Sequence, residues 1–174
     1  MNGEEICPLT SGKRVLVAYF SWSGSTEKVA RLIAGLTGGS LLKVATVESY
    51  STDMTDCVAE ALKEFDENAR PELATPTVDM SQWDVVFVGF PNWHGTAPMA
   101  MWTFLDDCKF SGQLVIPFIT HGRGGRQHCF EDIALHVQGA LVLEGFSWPN
   151  SQMNEYAPAT ERWLRGLKPV RTVE

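Results

Sequence analysis

Two rhythms of apolar and polar positions alternate along the chain. Five stretches are unbroken or nearly unbroken apolar runs, at 14–20 (RVLVAYF), 41–47, 83–90 (WDVVFVGF), 113–119 and 140–146. Such runs, rich in β-branched and aromatic residues, predict strands buried on both faces. Between them the apolar residues recur three and four apart, which predicts helices. Segment 26–37 puts Val29, Ala30, Leu32, Ile33 and Leu36 on one stripe and stops at Gly38-Gly39. Segment 54–67 is expected to turn Met54, Val58, Ala61, Leu62 and Phe65 inward and Glu60, Lys63, Glu64 and Glu67 outward. Further helices are predicted at about 98–107, with Met99, Trp102 and Leu105 or the adjacent Met101 and Phe104 inward, at 128–138 (Phe130, Ile133, Ala134, Val137) and at 157–167 (Trp163, Leu164, Leu167). Residues 68–82 contain Pro71 and Pro76 without a clear period and read as a connector.

Strand and helix alternate throughout, so the expected architecture is α/β, a parallel sheet with helices on both faces. The pattern divides the chain into a loose N-terminal tail at 1–13, one domain at 14–168 and a C-terminal tail at 169–174. Sheets of this kind take ligands at the carboxyl ends of their strands, near the switch in strand order. Three turns leaving strand ends have unusual chemistry: 21–26, 91–96 and 120–127. With the first, third and fourth strands as neighbours, the three turns line one crevice.

The first turn, Ser21-Trp22-Ser23-Gly24-Ser25-Thr26, supplies hydroxyls and backbone N–H groups at the start of a helix. The helix dipole and those donors suit a phosphate. A phosphate monoester is nearly dianionic, and each hydrogen bond to it contributes roughly 1.5–3 kcal/mol net. The turn lacks the G-K-[ST] of nucleotide P-loops, and Ser21 stands where a G-x-S-x-G elbow needs its first glycine. The competing reading is a plain polar turn in which Ser25 or Thr26 caps the helix.

Composition narrows the classes. At 174 residues the chain can bury about 70% of its unfolded surface as one domain. A net charge of −7 disfavours nucleic acid as a partner. No apolar run approaches the roughly 20 residues of a membrane span, and the acidic start MNGEEICPLTSGK lacks a signal sequence's apolar core. Cys7, Cys57, Cys108 and Cys129 are scattered without C-x-x-C or zinc spacing. Free thiols, no metal and a cytoplasmic location are therefore expected.

SWSGST after VLVAYF, GFPNWHGTAPM after the third strand and THG with following glycines after the fourth resemble the flavodoxin family. The likeness is closest to bacterial flavodoxin-like proteins with a Y-F-S-x-x-G-x-T start and a G-x-P-x-W-x-G turn, and it covers about 14–147. The resemblance implies a three-layer sandwich with strand order 2-1-3-4-5. It also implies a bound flavin mononucleotide (FMN) and electron-transfer or flavin-reductase chemistry. On this reading Ser21 to Thr26 hold the phosphate. Trp93, in the turn Pro91-Asn92-Trp93-His94-Gly95, offers a flat indole to the isoalloxazine, or else packs over its own loop. Gly95 admits close backbone approach. His94 stands where the family often has a second aromatic, and solvent exposure is its plainer role. Thr120, His121 and Gly122, followed by Gly124 and Gly125, begin a turn whose N–H groups could meet the pyrimidine edge. Trp22 shields the ribityl-phosphate end or makes an exposed contact. Arg123 and Arg126 are either solvated charges or attract the 2′-phosphate of NADPH.

The expected function is electron transfer through FMN, with no catalytic side chain, to a redox partner protein that docks by a basic patch. The alternatives are an NAD(P)H-dependent FMN or quinone reductase on the same fold and a degenerate, flavin-free binding module. A phosphorylatable receiver domain is disfavoured, because Ser21 and Pro91 occupy the places where it needs acids.

Overall fold

The computed structural model describes residues 6–168. β1 (Val15–Tyr19) is buried along its whole length and runs parallel between β2 (Ser40–Lys43) and β3 (Val85–Pro91). β4 (Leu114–His121) follows β3, and β5 (Leu141–Val142) lies beyond it, giving the order β2-β1-β3-β4-β5. The alternating residues of β1 face different layers. Val15, Val17 and Tyr19 pack with α1 (Ser25–Thr37) and α5 (Tyr156–Gly166), through Val29, Ala30, Ile33 and Leu164. Leu16 and Ala18 face α3 (Met99–Asp107) and α4 (Cys129–His136). The fold is the expected three-layer α/β sandwich.

The fifth strand, expected as one run at 140–146, is in two pieces. β5 and β6 (Phe146–Pro149) both pair with β4, which they meet at Leu114–Val115 and Phe118–His121 respectively. Pro117 is the cause. Val115 O accepts from Leu143 N on that side of β4 (2.9 Å), but Pro117, two residues on, has no N–H to continue the ladder. α3 is also more buried than a single stripe requires, with Met99, Ala100, Met101, Trp102, Phe104 and Leu105 all inside. The lead-in expected to be loose is packed from Cys7, which is buried with Leu9 beside β1. Residues 1–5 and the tail at 169–174 lie outside the described residues. No helix among the described residues is long and apolar enough to cross a membrane.

The largest departure is α2 (Met54–Asp66). Of the residues expected inward only Ala61 is buried, together with Cys57, whereas Met54 is 67% exposed, Val58 52%, Leu62 44% and Phe65 40%. The helix forms as predicted, capped by Asp53, whose carboxylate accepts from the N–H groups of Thr55 and Asp56. Its main packing partner is α3, so most of its apolar stripe is left off the sheet.

Gly89 sits in β3 between Tyr19 and Phe118, and a Cβ there would lie 2.0 Å from the Phe118 ring. That ring is fully buried and has nowhere to move. Gly89→Ala is therefore expected to lower stability by about 1–3 kcal/mol, read from the urea midpoint. A second prediction concerns Arg14, which binds Asp84 through its side chain and its backbone N–H and so joins the starts of β1 and β3. These bonds hold the Asp84 carboxyl well below the usual carboxylate range. A depressed carboxyl contributes stability above its unfolded value, about 3.9, and loses it as pH falls further. The stability gap between the native chain and Asp84→Asn should therefore narrow from pH 5 to pH 2. A constant gap would overturn this account.

Candidate functional site

The parallel crossovers bring the carboxyl ends of β1, β3 and β4 to one edge of the sheet, where the three turns meet around a cavity of about 560 Å³. Trp22, Ser23, Ser25 and Thr26 line it from the first turn. Pro91, Asn92, Trp93 and His94 line it from the second, and Thr120, His121 and Gly122 from the third. Ser21, Gly24, Gly95, Gly124 and Gly125 are not among its lining residues, and Gly95 instead borders a neighbouring depression. That volume is in the range of a small-molecule or cofactor site.

The first turn gathers hydrogen-bond donors at the head of α1. Gly24 has φ +92°, a left-handed conformation open to glycine, and it turns the chain into α1. Ser21 Oγ accepts from the N–H groups of Gly24 and Glu27, both at 3.2 Å, so this serine supports the turn from behind. The N–H groups of Ser23, Ser25 and Thr26 have no acceptor among the described residues and lie at the positive end of α1. The Ser23 and Ser25 hydroxyls are 3.5 Å apart at the same place. No lysine or arginine lines the cavity, and the donors beside it at the first turn are N–H and O–H groups. The Thr26 and Thr120 hydroxyls share a buried hydrogen bond of 2.7 Å that ties the first turn to the third.

Trp93 is held edge-on by two rings, Phe20 at 5.2 Å and Tyr50 at 5.1 Å. Tyr50 donates to Glu64 Oε2 at 2.7 Å, which links this aromatic group to α2. Burial pushes the Glu64 carboxyl above its usual range and the Tyr50 phenol far above its own. Trp93 and Thr96 exchange two backbone hydrogen bonds across His94 and Gly95, which have φ +55° and +88°. Asn92 fixes that turn, accepting from Gly95 N and donating to Gly125 O of the third turn at 2.7 Å. His94 is exposed and its ring lies 5.7 Å from that of Phe65. Trp22 donates from Nε1 to Ser51 O, anchoring the first turn to the segment before α2.

A chain match to the family model described as Flavodoxin runs over residues 14–163. The chain belongs to the flavodoxin family. Among solved structures, this family member is similar to a candidate flavoprotein from Bacteroides uniformis, with 25% identity over 87% of this chain and 97% of that one and a TM-score of 0.78. A candidate flavoprotein from Bacteroides eggerthii gives 24%, 85%, 98% and 0.71. A flavoprotein from Lactobacillus acidophilus, solved in complex with FMN, gives 24%, 83%, 99% and 0.68, a likeness of fold. No curated protein matches the chain.

Sequence reasoning missed two parts of the cavity. Met54, Cys57, Val58 and Ala61 of α2 form one wall, and Asn150 closes another side after β6. Nothing in a helical stripe distinguishes a wall from a core face. Asn150 did leave a signal, since Pro149-Asn150 at the end of β6 repeats Pro91-Asn92 at the end of β3. Burial, with the carboxylates of Glu60 and Glu64 behind it, pushes the Cys57 thiol to about 11, so it stays protonated at neutral pH. Arg123 and Arg126 are both exposed; Arg126 is bound by both carboxylate oxygens of Glu131 at 2.9 Å and lies 4.9 Å over Phe130.

Because Ser21 supports the turn rather than lining it, Ser21→Ala should destabilise the chain by about 1 kcal/mol through loss of two amide partners. Thermal unfolding measures this. A stability equal to the native chain's would show that those amides find water at no cost.

Proposed function

We propose that the chain binds FMN in this cavity and serves as an electron-transfer flavoprotein. One observation carries the reading: three unpaired N–H groups at the head of α1 share a cavity with the Trp93 indole. A phosphate ester joined to a flat heterocycle matches that pair of features. The bound flavin supplies reversible one- and two-electron chemistry. The residues fit such a group by their donor chemistry: amides of Ser23, Ser25 and Thr26 with the Ser23 and Ser25 hydroxyls for the phosphate, the indole for a ring, and an apolar wall of Met54, Val58 and Ala61 beside it. The FMN-bound relative from Lactobacillus acidophilus supports the choice of cofactor.

The chain's own groups do the rest. Phe20 and Tyr50 keep the Trp93 ring from turning, and the Thr26–Thr120 bond keeps phosphate donors and ring wall in register. With Arg126 bound to Glu131, Arg123 alone of the third turn's two arginines is left for a second phosphorylated nucleotide, which favours a carrier over an NAD(P)H-dependent reductase. Four free thiols accord with work in the cytoplasm.

The test uses Ser25→Asp. An acid at a helix N-terminus favours the helix by about 0.3–1 kcal/mol, so the fold should persist, but the added carboxylate repels a phosphate. FMN fluorescence should be quenched by the native chain near one-to-one. The variant should lose at least ~10-fold in affinity for FMN, the equivalent of one charge-assisted hydrogen bond, and should change little toward riboflavin, which lacks the phosphate. Equal losses for both flavins would remove the phosphate assignment, and no quenching by the native chain would remove the FMN reading.

A further inference from the structure

Three aromatic rings meet beside the main cavity. Phe20, Tyr50 and Trp93 contact one another edge to face, with centroids 5.7 Å (Phe20–Tyr50), 5.2 Å (Phe20–Trp93) and 5.1 Å (Tyr50–Trp93) apart. In such a cluster each ring is held only as firmly as its two neighbours. Phe20 directly follows β1 and is buried. Tyr50 belongs to the irregular segment between β2 and α2, so its place depends on what its side chain holds.

That partner is Glu64 of α2, whose Oε2 accepts from the Tyr50 hydroxyl at 2.7 Å. One turn back on the same helix face, Glu60 accepts from Ser51 N at 2.9 Å, and Ser51 O accepts from Trp22 Nε1. Two carboxylates of α2 thus hold the two residues that anchor Trp93 and Trp22, which line the cavity from different turns. Glu60 is exposed, whereas Glu64 is half-buried. An ionised carboxylate accepts a stronger bond from a phenol than a neutral group does, so the charged form of Glu64 fixes Tyr50 most firmly. The other titratable or charged groups around Glu64 are Glu60 and Cys57 on its own helix, Arg70 after it, which is held by Asp106 of α3, and His94, whose ring lies beside Phe65.

We infer that Glu64 is a positioning residue for the ring site, its carboxylate fixing the Tyr50 hydroxyl and, through the Tyr50 ring, the indole of Trp93. The inference rests on the flavin reading for the identity of the ring that Trp93 receives. It does not rest on that reading for the link between Glu64 and Trp93.

Riboflavin is the probe, because a phosphate monoester itself titrates at about pH 6 and would mask the effect. Burial raises the Glu64 midpoint above the ordinary glutamate value of about 4.3. As pH rises through that midpoint the carboxylate forms, and the native chain's affinity for riboflavin, read by fluorescence quenching, should rise. A gain of ~3–5-fold is expected, the difference between a neutral and a charge-assisted hydrogen bond. The step should be absent from Glu64→Gln, which keeps an acceptor without the charge. It should also be absent from Tyr50→Phe, which keeps the charge but disconnects it from Trp93. Titration of His94 or His121, which also line the cavity, is common to all three chains and cancels in the comparison. A native chain with no step would overturn the inference. So would a step retained in Glu64→Gln, since another group would then be titrating, or in Tyr50→Phe, since the charge would then act through space.

A second readout needs no flavin. In the cofactor-free native chain the Nε1–H resonance of Trp93, identified with Trp93→Phe, should shift with pH through the same midpoint. Both variants should lose that shift. Where neither riboflavin nor FMN binds, the flavin reading falls and this resonance alone decides the positioning role. A Trp93 signal that ignores Glu64 overturns that role whether or not a flavin binds.

Discussion

Parallel strand direction is the constraint on which this molecule depends. Each right-handed crossover returns the chain to the same edge of the sheet, so the ends of β1, β3 and β4 arrive together whatever residues fill the loops. Direction alone gives proximity without register. Register comes from a few polar links between turns: Thr26 to Thr120 across the intervening β3, Asn92 to Gly125, and Trp22 to Ser51. Each joins segments remote in sequence, and Thr26 to Thr120 is fully buried, where an unmade hydrogen bond costs more than a made one gains. The cavity is thus a consequence of topology, with its shape set by those links.

Much of this was legible in the chain, for a physical reason. A strand buried on both faces must be apolar throughout, and β1, β3 and β4 carry that mark in VLVAY, VVFVGFP and LVIPFITH. Turns at their ends stand out because their residues are small, hydroxylated or glycine. One strand was expected at 140–146, where β5 and only the first residue of β6 lie, because apolar content says nothing of whether a neighbour can bond. The break is written in Pro117, on a different strand. α2 misled more deeply: periodicity reports that a helix has an apolar face, not what covers it. Here that face divides between a cavity wall and the surface.

The roles within the site were also only partly legible. Ser21 and Ser25 are the same residue type four positions apart, yet one supports the turn and the other lines the cavity. The difference arises where Gly24 reverses the backbone, placing Ser21 Oγ beneath the amides of Gly24 and Glu27. The expected cap by Ser25 or Thr26 is not made: no side chain caps α1 from its N-cap, and Ser21, three residues before the N-cap Gly24, takes the amides instead. Trp93 likewise packs on its neighbours and faces the cavity, because an indole has an edge for Phe20 and Tyr50 and a broad surface left over.

A chain of net charge −7 whose main cavity is lined by unpaired amides and by no lysine or arginine must separate its fields. Amides at the head of α1 are fixed dipoles, stronger in a partly dry cavity than in water and unable to swing away to a surface acid. The acids of α2 are on its exposed side, where water screens them within about 8–10 Å at ordinary ionic strength. Glu64 is the exception, turned inward and half-buried, but its carboxylate is bound to the Tyr50 hydroxyl behind Trp93. α2 therefore presents an apolar wall to the cavity and a negative face to solvent. A lysine among the cavity donors would have been drawn toward those acids, whereas backbone amides keep their aim.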